Sequence, residues 1–313
     1  MILAGIDIGT NTIRLLVADA SASSFQEIHS SRIITRLGQG LDRTGSLAND
    51  VQERSLVALE EFSAIIRRSD AAGTAVVGTS ALRNAANAGE FIAAAKQRAG
   101  LDIRVISGEE EANFTLLGVR RALVPSGDAD ADPLASALLI DIGGGSTELI
   151  VTRQSVAASA ISLPMGAVYL TERFIRHDPP TSEELNNVRR AVTRELEALP
   201  AAGFPASCAG TAGTITTLAA MDQGLAVYDP GRINGYIMQK AALDRMVDRL
   251  TAATMERRRQ IAGLEPGRED IILAGAIIAQ EIMERCGARE LLVSDWGLRE
   301  GIIFDLYERH RNT

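Results

Sequence analysis

Asp7 and Asp141 stand in the same setting. Each lies in an I-D-I-G motif ahead of a turn rich in glycine and hydroxyl side chains: A-G-I-D-I-G-T-N-T-I-R-L-L-V over residues 4–17, and L-L-I-D-I-G-G-G-S-T-E-L-I-V over residues 138–151. Aligned without gaps, Gly9 meets Gly143, Thr10-Asn11-Thr12 meets Gly144-Gly145-Ser146, and Arg14 meets Glu148. A turn between two buried strands can aim several N–H and O–H donors at one point, and glycine lets a ligand approach the backbone, so such turns bind phosphate. A carboxylate just before the turn suits Mg²⁺, which takes a few carboxylates together with phosphate oxygens. The same residues also suit a tight hairpin capped by an aspartate. Duplication in register favours two phosphate-binding jaws across a domain interface, with Asp7 and Asp141 as metal candidates.

Three further stretches carry candidate chemistry. In I-S-G-E-E-E-A (106–112), Ser107 and Glu110 have the spacing of a capping box, and Glu109 suits the positive end of a helix. Glu111 lies beyond the box. It is either a third acid at a favourable helix start or a general base that polarises water beside a bound phosphate, with Glu148 as its companion. In T-S-A-L-R-N-A (79–85), Thr79, Ser80 and nearby amides could meet an anion with Arg83 as charge partner, or could serve ordinary capping. C-A-G-T-A-G-T (208–214) is a third strand–Gly/Thr–helix junction, where Gly210, Thr211 and Gly213 could take a phosphate or a nucleoside. Other phosphate and nucleophile signatures are missing: no G-x-x-x-x-G-K-[ST], no G-x-G-x-x-G after a strand, no G-x-S-x-G. His29, His177 and His310 are scattered, which disfavours a histidine metal cluster or triad. Chemistry must then rest on carboxylates, hydroxyls, backbone amides and a metal.

The elements that position these residues read as a repeated α/β pattern. Strands are expected over 2–8, 13–19 and near Arg32–Leu37. A helix follows from Asn49 to Ala72 with Gly73 as its stop, then a buried strand over 75–78. Asn87-x-x-Glu90 has capping-box spacing and opens a helix ending at Gly100; 104–106 is another strand. The polar, acidic segment 124–133 reads as a solvated inter-domain linker. Its D-x-D-x-D resembles a calcium loop, but Pro133 occupies the place of the required glycine. The second half repeats the scheme with strands at 137–142, 147–152 and 157–163. A helix capped by Thr181-x-x-Glu184 runs to about Leu199, and a strand at 204–209 leads into another helix. Helices over 240–251 and 268–285, a strand over 290–295 and a final helix from Leu298 complete the chain. Trp296 reads as core or interface. The expected domains are 1–124 and 125–313.

Length and composition agree. The 313 residues suit two domains, and 46% apolar with 23% charged residues is the balance of a soluble globular protein. No apolar run approaches a membrane span, and no basic leader opens the chain, so a cytoplasmic protein with no membrane partner is expected. Cys208 and Cys286 form no disulfide framework. A net charge of −8 argues against binding a nucleic-acid polymer but allows a polyanionic substrate held by a local cluster of cations. The cations are nearly all arginine, suited to bidentate phosphate contacts; Lys96 and Lys240 are the only lysines. Apolar late helices are compatible with a homodimer.

Together the motifs resemble the exopolyphosphatase / guanosine pentaphosphate phosphohydrolase family, within the actin-like group. The matching segments also include S-L-P-M-G-A-V-Y-L-T-E-R-F, R-E-D-I-I-L-A-G and S-D-W-G-L-R-E-G-I, and they span nearly the whole chain. The resemblance implies two ribonuclease-H-like (actin-like) domains with mixed sheets flanking a central cleft, with the last helix (298–313) packing back on the first. It implies Glu111 as catalytic base, Glu148 as its assistant at the water, and Asp141 with Asp7 at a Mg²⁺ site. The loops at Thr10, Asn11, Thr12, Gly144, Gly145 and Ser146, with Arg83, are implied to take phosphates. The implied reaction is release of terminal phosphate from inorganic polyphosphate or guanosine pentaphosphate. An actin-like kinase or ATPase and a non-catalytic sensor of guanosine tetra- and pentaphosphate are the alternatives. Against the family pattern, the first turn reads G-T-N-T for the commoner G-S-N-S and Asn234 replaces a frequent histidine. Tyr169 replaces a frequent arginine, removing one polyanion contact. The chain resembles the short form of the family, which weighs against processive handling of long polyphosphate.

Overall fold

The computed structural model describes residues 1–21, 24–124, 132–197, 199, 204–205 and 207–311. The chain divides into two compact units, Met1–Gly118 with Gly297–Thr313, and Val119–Trp296.

The first unit begins with β1 (Ile2–Ile8), β2 (Thr12–Ala20) and β3 (Phe25–Ile34), an antiparallel meander. Then come α1 (Leu41–Thr44), α2 (Asn49–Arg68), β4 (Gly73–Gly78), α3 (Ser80–Asn84), α4 (Ala88–Ala99), β5 (Ile103–Val105) and α5 (Gly108–Leu123), which carries the chain over the boundary between the units. The sheet order is β3-β2-β1-β4-β5, with β4 parallel to β1. The central strands β1 and β2 are buried on both faces over most of their length and read as mostly apolar, interrupted by Asp7 in β1 and by Arg14 and Asp19 in β2. Ile6, Ile8, Ile13 and Leu15 face a core with Leu59 and Phe62 of α2 and Phe91 of α4.

The second unit repeats the plan. Its elements are β6 (Leu138–Ile142), β7 (Thr147–Arg153), β8 (Val156–Leu163), α6 (Ala167–Phe174), α7 (Ser182–Glu197), β9 (Cys208–Thr211), α8 (Ala212–Asp222), α9 (Pro230–Ile233), β10 (Ile237–Gln239), α10 (Lys240–Ala252), α11 (Met255–Arg258), α12 (Ile272–Cys286) and β11 (Glu290–Val293). The order β8-β7-β6-β9-β11 reproduces that of the first sheet, with β10 added antiparallel beyond β11. The registers agree as well: Asp7 lies beside Val77 on β4 as Asp141 lies beside Thr211 on β9, at the same sequence spacing. Ile272 to Ala279 of α12 are buried, making it the central helix of the core.

The chain returns to the first unit with α13 (Leu298–Arg311). Ile303 packs with Leu3, Leu16 and Ala18 on the sheet face opposite α2 and α4, while Ile302 packs with Val77 and Ile106. Gly301 and Gly118 permit this approach: a Cβ on Gly301 would overlap the Phe114 carbonyl, and one on Gly118 the Gly297 carbonyl. Two mixed sheets within an α/β chain are the expected fold class.

Several local expectations change. The third strand lies over 25–34 rather than 32–37, because β3 pairs with the whole of β2 through a register shift at Val17/Ala18. Gly73 opens β4 rather than only stopping α2, and α12 starts at Ile272 rather than 268. The Ser107/Glu110 and Thr181/Glu184 capping boxes form in both directions. The Asn87/Glu90 box does not: Asn87 pairs its amide with both backbone groups of Leu47, accepting from the N–H at 2.8 Å and donating to the carbonyl at 3.0 Å. Of the 124–133 linker, 125–131 lie outside the described residues. Asp132 is buried rather than solvated, accepting from Leu134 N at 2.7 Å and facing Arg120 at 3.4 Å. The strand expected over 204–209 is shifted to Cys208–Thr211. Both cysteines are unlinked, and Cys286 Sγ donates to the Ile282 carbonyl.

Candidate active site

In the first unit, Gly9 N donates to Thr12 O at 3.1 Å and closes the turn after Asp7. Thr10, Asn11 and Thr12 are all buried. The loop after β3 ties the turn from behind: Arg36 N donates to Asn11 O and Gly38 N to Thr10 O, both at 2.9 Å. In a planar trans peptide the N–H points opposite to the C=O. Tying these two carbonyls therefore directs the amides of Asn11 and Thr12 to the other side of the turn.

Glu111 is buried in the first turns of α5, and Arg83 Nη1 reaches its Oε2 at 2.7 Å while also donating to Ile106 O at 2.9 Å. The structure thus joins two predicted site residues directly, and the guanidinium orients the carboxylate. Glu110 next to it is held by the capping box; the Ser107 N–H, and then Arg104, keep its carboxyl below the usual range. The Thr79 side chain makes no capping bond to α3. Its hydroxyl turns to the Ile8 carbonyl, and α3 is only five residues long.

In the second unit, Gly143 N donates to Ser146 O at 3.0 Å, repeating the first turn. Here α6 does the tying. Ala167 N donates to Gly143 O at 3.0 Å, and Val168 N and Tyr169 N both donate to Gly144 O, at 2.9 and 3.0 Å. The amides of Gly144 and Gly145 are thereby aimed away from α6, as a phosphate cradle needs. Gly166 makes the contact possible, since a Cβ there would overlap the Gly144–Gly145 peptide.

Asp141 and Glu148 sit directly opposite each other on β6 and β7, both buried. Glu148 is 1% exposed, and its Oε1 accepts from Ser146 Oγ at 2.9 Å and Ser162 Oγ at 2.7 Å. In the first sheet the equivalent pair is Asp7 and Arg14. One turn therefore carries two facing acids, the other an acid and a base. Thr211, beside Asp141, donates its hydroxyl to Trp296 O at 2.8 Å, so that proton is spent within the fold. A Cβ on Gly210 would come within 3.2–3.3 Å of the Ile215 and Leu291 side chains. Gly213 lies buried in α8, next to Ala212, whose φ of 67° is unusual for a residue with a side chain.

The family model described as "Ppx/GppA phosphatase family" matches residues 16–310. The chain belongs to the Ppx/GppA phosphatase family. Among similar proteins, exopolyphosphatase 2 of Mycobacterium tuberculosis is 36% identical, over 97% of this chain and 98% of its own. A guanosine-5'-triphosphate,3'-diphosphate pyrophosphatase of Vibrio cholerae is 31% identical, over 97% of this chain and 59% of its own. The crystal structure of an Aquifex aeolicus Ppx/GppA member has a TM-score of 0.80 and 31% identity, covering 100% of this chain and 99% of that one.

For a Ppx/GppA chain, the parts that sequence reasoning passed over are the supports. Ser162, Gly166 and the 36–38 loop touch the turns or their acids, yet none belongs to a chemical motif. The signal was present in S-L-P-M-G-A-V: a lone glycine ahead of an apolar helix, in a chain that also holds a three-glycine turn.

Proposed function

We propose that this chain is a phosphoanhydride hydrolase that releases terminal phosphate from inorganic polyphosphate. The observation that carries this reading is the Gly143–Ser146 turn, its amides aimed outward by α6 and its flanks bearing the facing acids Asp141 and Glu148. The family and the exopolyphosphatase relative support the same chemistry.

In this reading a water oxygen forms a bond to the terminal phosphorus while the bridging P–O bond breaks, giving orthophosphate and a chain one unit shorter. Glu111 takes the water proton, and Arg83 fixes its carboxylate. Glu148, steadied by two serines, orients the water. The turn amides and Ser146 hold equatorial phosphate oxygens. Catalysis of this kind is mainly positioning and charge stabilisation.

The donor set fits Mg²⁺. Among the described residues no three His, Cys, Asp or Glu side chains gather into a metal-holding group. Two oxygen donors, Asp141 and Glu148, completed by phosphate oxygens, are the kind of set Mg²⁺ accepts. Asp141 suits it better than Asp7, whose cross-strand neighbour is Arg14. When bound, the ion would neutralise charge on the transferring and leaving phosphates.

Guanosine pentaphosphate is the second substrate, favoured by the Vibrio relative. Phosphate release should be measured from polyphosphates of several lengths, guanosine pentaphosphate and ATP, with and without Mg²⁺. Turnover of polyphosphate only with Mg²⁺ is expected; ATP turnover dependent on an acceptor would point to a kinase. Glu111→Gln should lower turnover by about 10²- to 10⁴-fold with substrate binding retained. Near-normal turnover in that variant would remove Glu111 from its role.

A further inference from the structure

One buried hydroxyl beside the second turn bears on where α6 sits. β8 ends at Leu163, and the chain bends tightly before α6: Met165 N donates to the Leu163 carbonyl at 2.7 Å across Pro164. Pro164 has no N–H, so strand pairing does not continue through it. The Met165 carbonyl is taken by Thr147, whose Oγ1 donates to it at 2.6 Å. Thr147 is 0% exposed and Met165 1%, so water does not compete for this bond. Because the peptide is planar, holding that carbonyl also fixes the Met165–Gly166 plane. Gly166 follows in an extended conformation, φ −137° and ψ 168°, as the residue that opens α6. The first amides of a helix have no partner inside it. In α6 those of Ala167, Val168 and Tyr169 are used on the Gly143 and Gly144 carbonyls. Thr147 therefore holds the peptide from which the helix that shapes the turn departs. In the first unit the position aligned with Thr147 is Ile13, which carries no hydroxyl. There the tie comes from the loop directly after β3, through Arg36 N and Gly38 N, and no helix has to be seated.

We propose that Thr147 is a positioning residue for phosphate binding: its hydroxyl, through the Met165 carbonyl, seats α6 so that the Gly144 and Gly145 amides stay aimed at a phosphate. This rests on reading the Gly143–Ser146 turn as the phosphate cradle. The ligand class is a phosphate group, whether the end of a polyphosphate chain or free orthophosphate. Thr147 acts through Met165 and α6.

The test compares Thr147→Val, which keeps the shape and removes the donor, with Thr147→Ser, which keeps the donor. Thr152→Val is the control. Thr152 lies on the same strand, is equally buried and donates to the Leu134 carbonyl at 2.6 Å, but at the end of β7 away from the turn. Equilibrium binding of orthophosphate and of polyphosphate to the full chain is measured where every variant is folded, with amide hydrogen exchange alongside. Thr147→Val should weaken both ligands roughly three- to tenfold, the factor that one hydrogen bond supplies, and speed exchange at Val168 and Tyr169 by a similar factor. Thr147→Ser should stay within about twofold of the unaltered chain, and Thr152→Val should leave both readouts in place even where it lowers stability. Unchanged phosphate affinity in folded Thr147→Val would overturn the proposal. So would an equal loss in Thr152→Val, which would mean a general loosening of β7, or in Thr147→Ser, which would mean that shape and not the hydroxyl matters. Should Thr147→Val not fold, Thr147→Cys takes its place: its weak S–H donor should lose part of the affinity, and binding as tight as that of Thr147→Ser would sink the idea. If the unaltered chain binds orthophosphate and polyphosphate but releases no phosphate, the hydrolase reading fails while the binding comparison still decides this one. If it binds neither, both fall.

Discussion

Glu148 is a buried carboxylate whose charge is met by two serine hydroxyls on a single oxygen. Hydrogen bonds to charged groups contribute about 1.5–3 kcal/mol each. Ser162→Ala should therefore cost about 1.5–3 kcal/mol in urea unfolding and lower turnover several-fold, because it removes one of the two hydroxyls that steady the carboxylate. A drop in turnover without loss of stability would mean Ser162 touches substrate instead. Glu184 gives a second prediction at this scale. Its carboxyl is pulled down to about 2 by the Thr181 N–H, and then by the His177 side chain and the Arg176 N–H. A lowered folded value means that the carboxylate stabilises the fold above its ordinary value of 4.5 and loses that contribution as pH falls toward about 2. Glu184→Gln should be less stable at neutral pH and show a shallower acid-unfolding transition; an unchanged acid midpoint would refute the linkage. Residue type and local spacing made Asp141, Glu148 and Glu111 visible in the sequence. Ser162 heads the S-L-P-M-G-A-V segment, but its contact with Glu148 was not legible, because only the β7–β8 register brings the two opposite each other.

At the scale of elements, the second turn depends on a helix that no chemical motif marks. Gly166→Ala would drive a methyl into the Gly144–Gly145 peptide and push α6 from the carbonyls it ties. Overpacking of this sort costs about 1–3 kcal/mol. Turnover should fall by more than that cost explains, with far-UV circular dichroism unchanged; retained activity would show that the turn holds its shape without α6. Ala212 is the opposite case, a side chain in a left-handed conformation at the start of α8. Ala212→Gly should raise stability by about 0.5–1 kcal/mol in thermal unfolding, as relief of that conformation outweighs the added chain entropy. Helix ends were legible where two side chains close a local ring, as at Ser107/Glu110 and Thr181/Glu184. The Asn87 end was not, because Leu47, forty residues away, takes both amide groups.

Across the whole molecule, one strand order is used twice, and the duplicated I-D-I-G motifs fall at the same place in each sheet. That much followed from gap-free repetition in the sequence. The discontinuity of the first unit was readable only through its family resemblance, since nothing in the pattern of α13 names the strands that it covers. Ile303→Ala should cost about 2–4 kcal/mol, as expected for a truncated core residue. Ending the chain at Trp296 should abolish hydrogen-exchange protection in β1 and β2 while α12 keeps its own; protection surviving in β1 would show that the sheet holds without its cover. The arrangement also sets an order of assembly during synthesis. The strands made first, β1 and β2, keep the Leu3, Leu16 and Ala18 face open until the ribosome has released α13, after every residue of the second unit. The later unit can therefore be finished first, and in that interval the nascent first sheet offers an apolar surface to chaperones or to a neighbouring nascent chain.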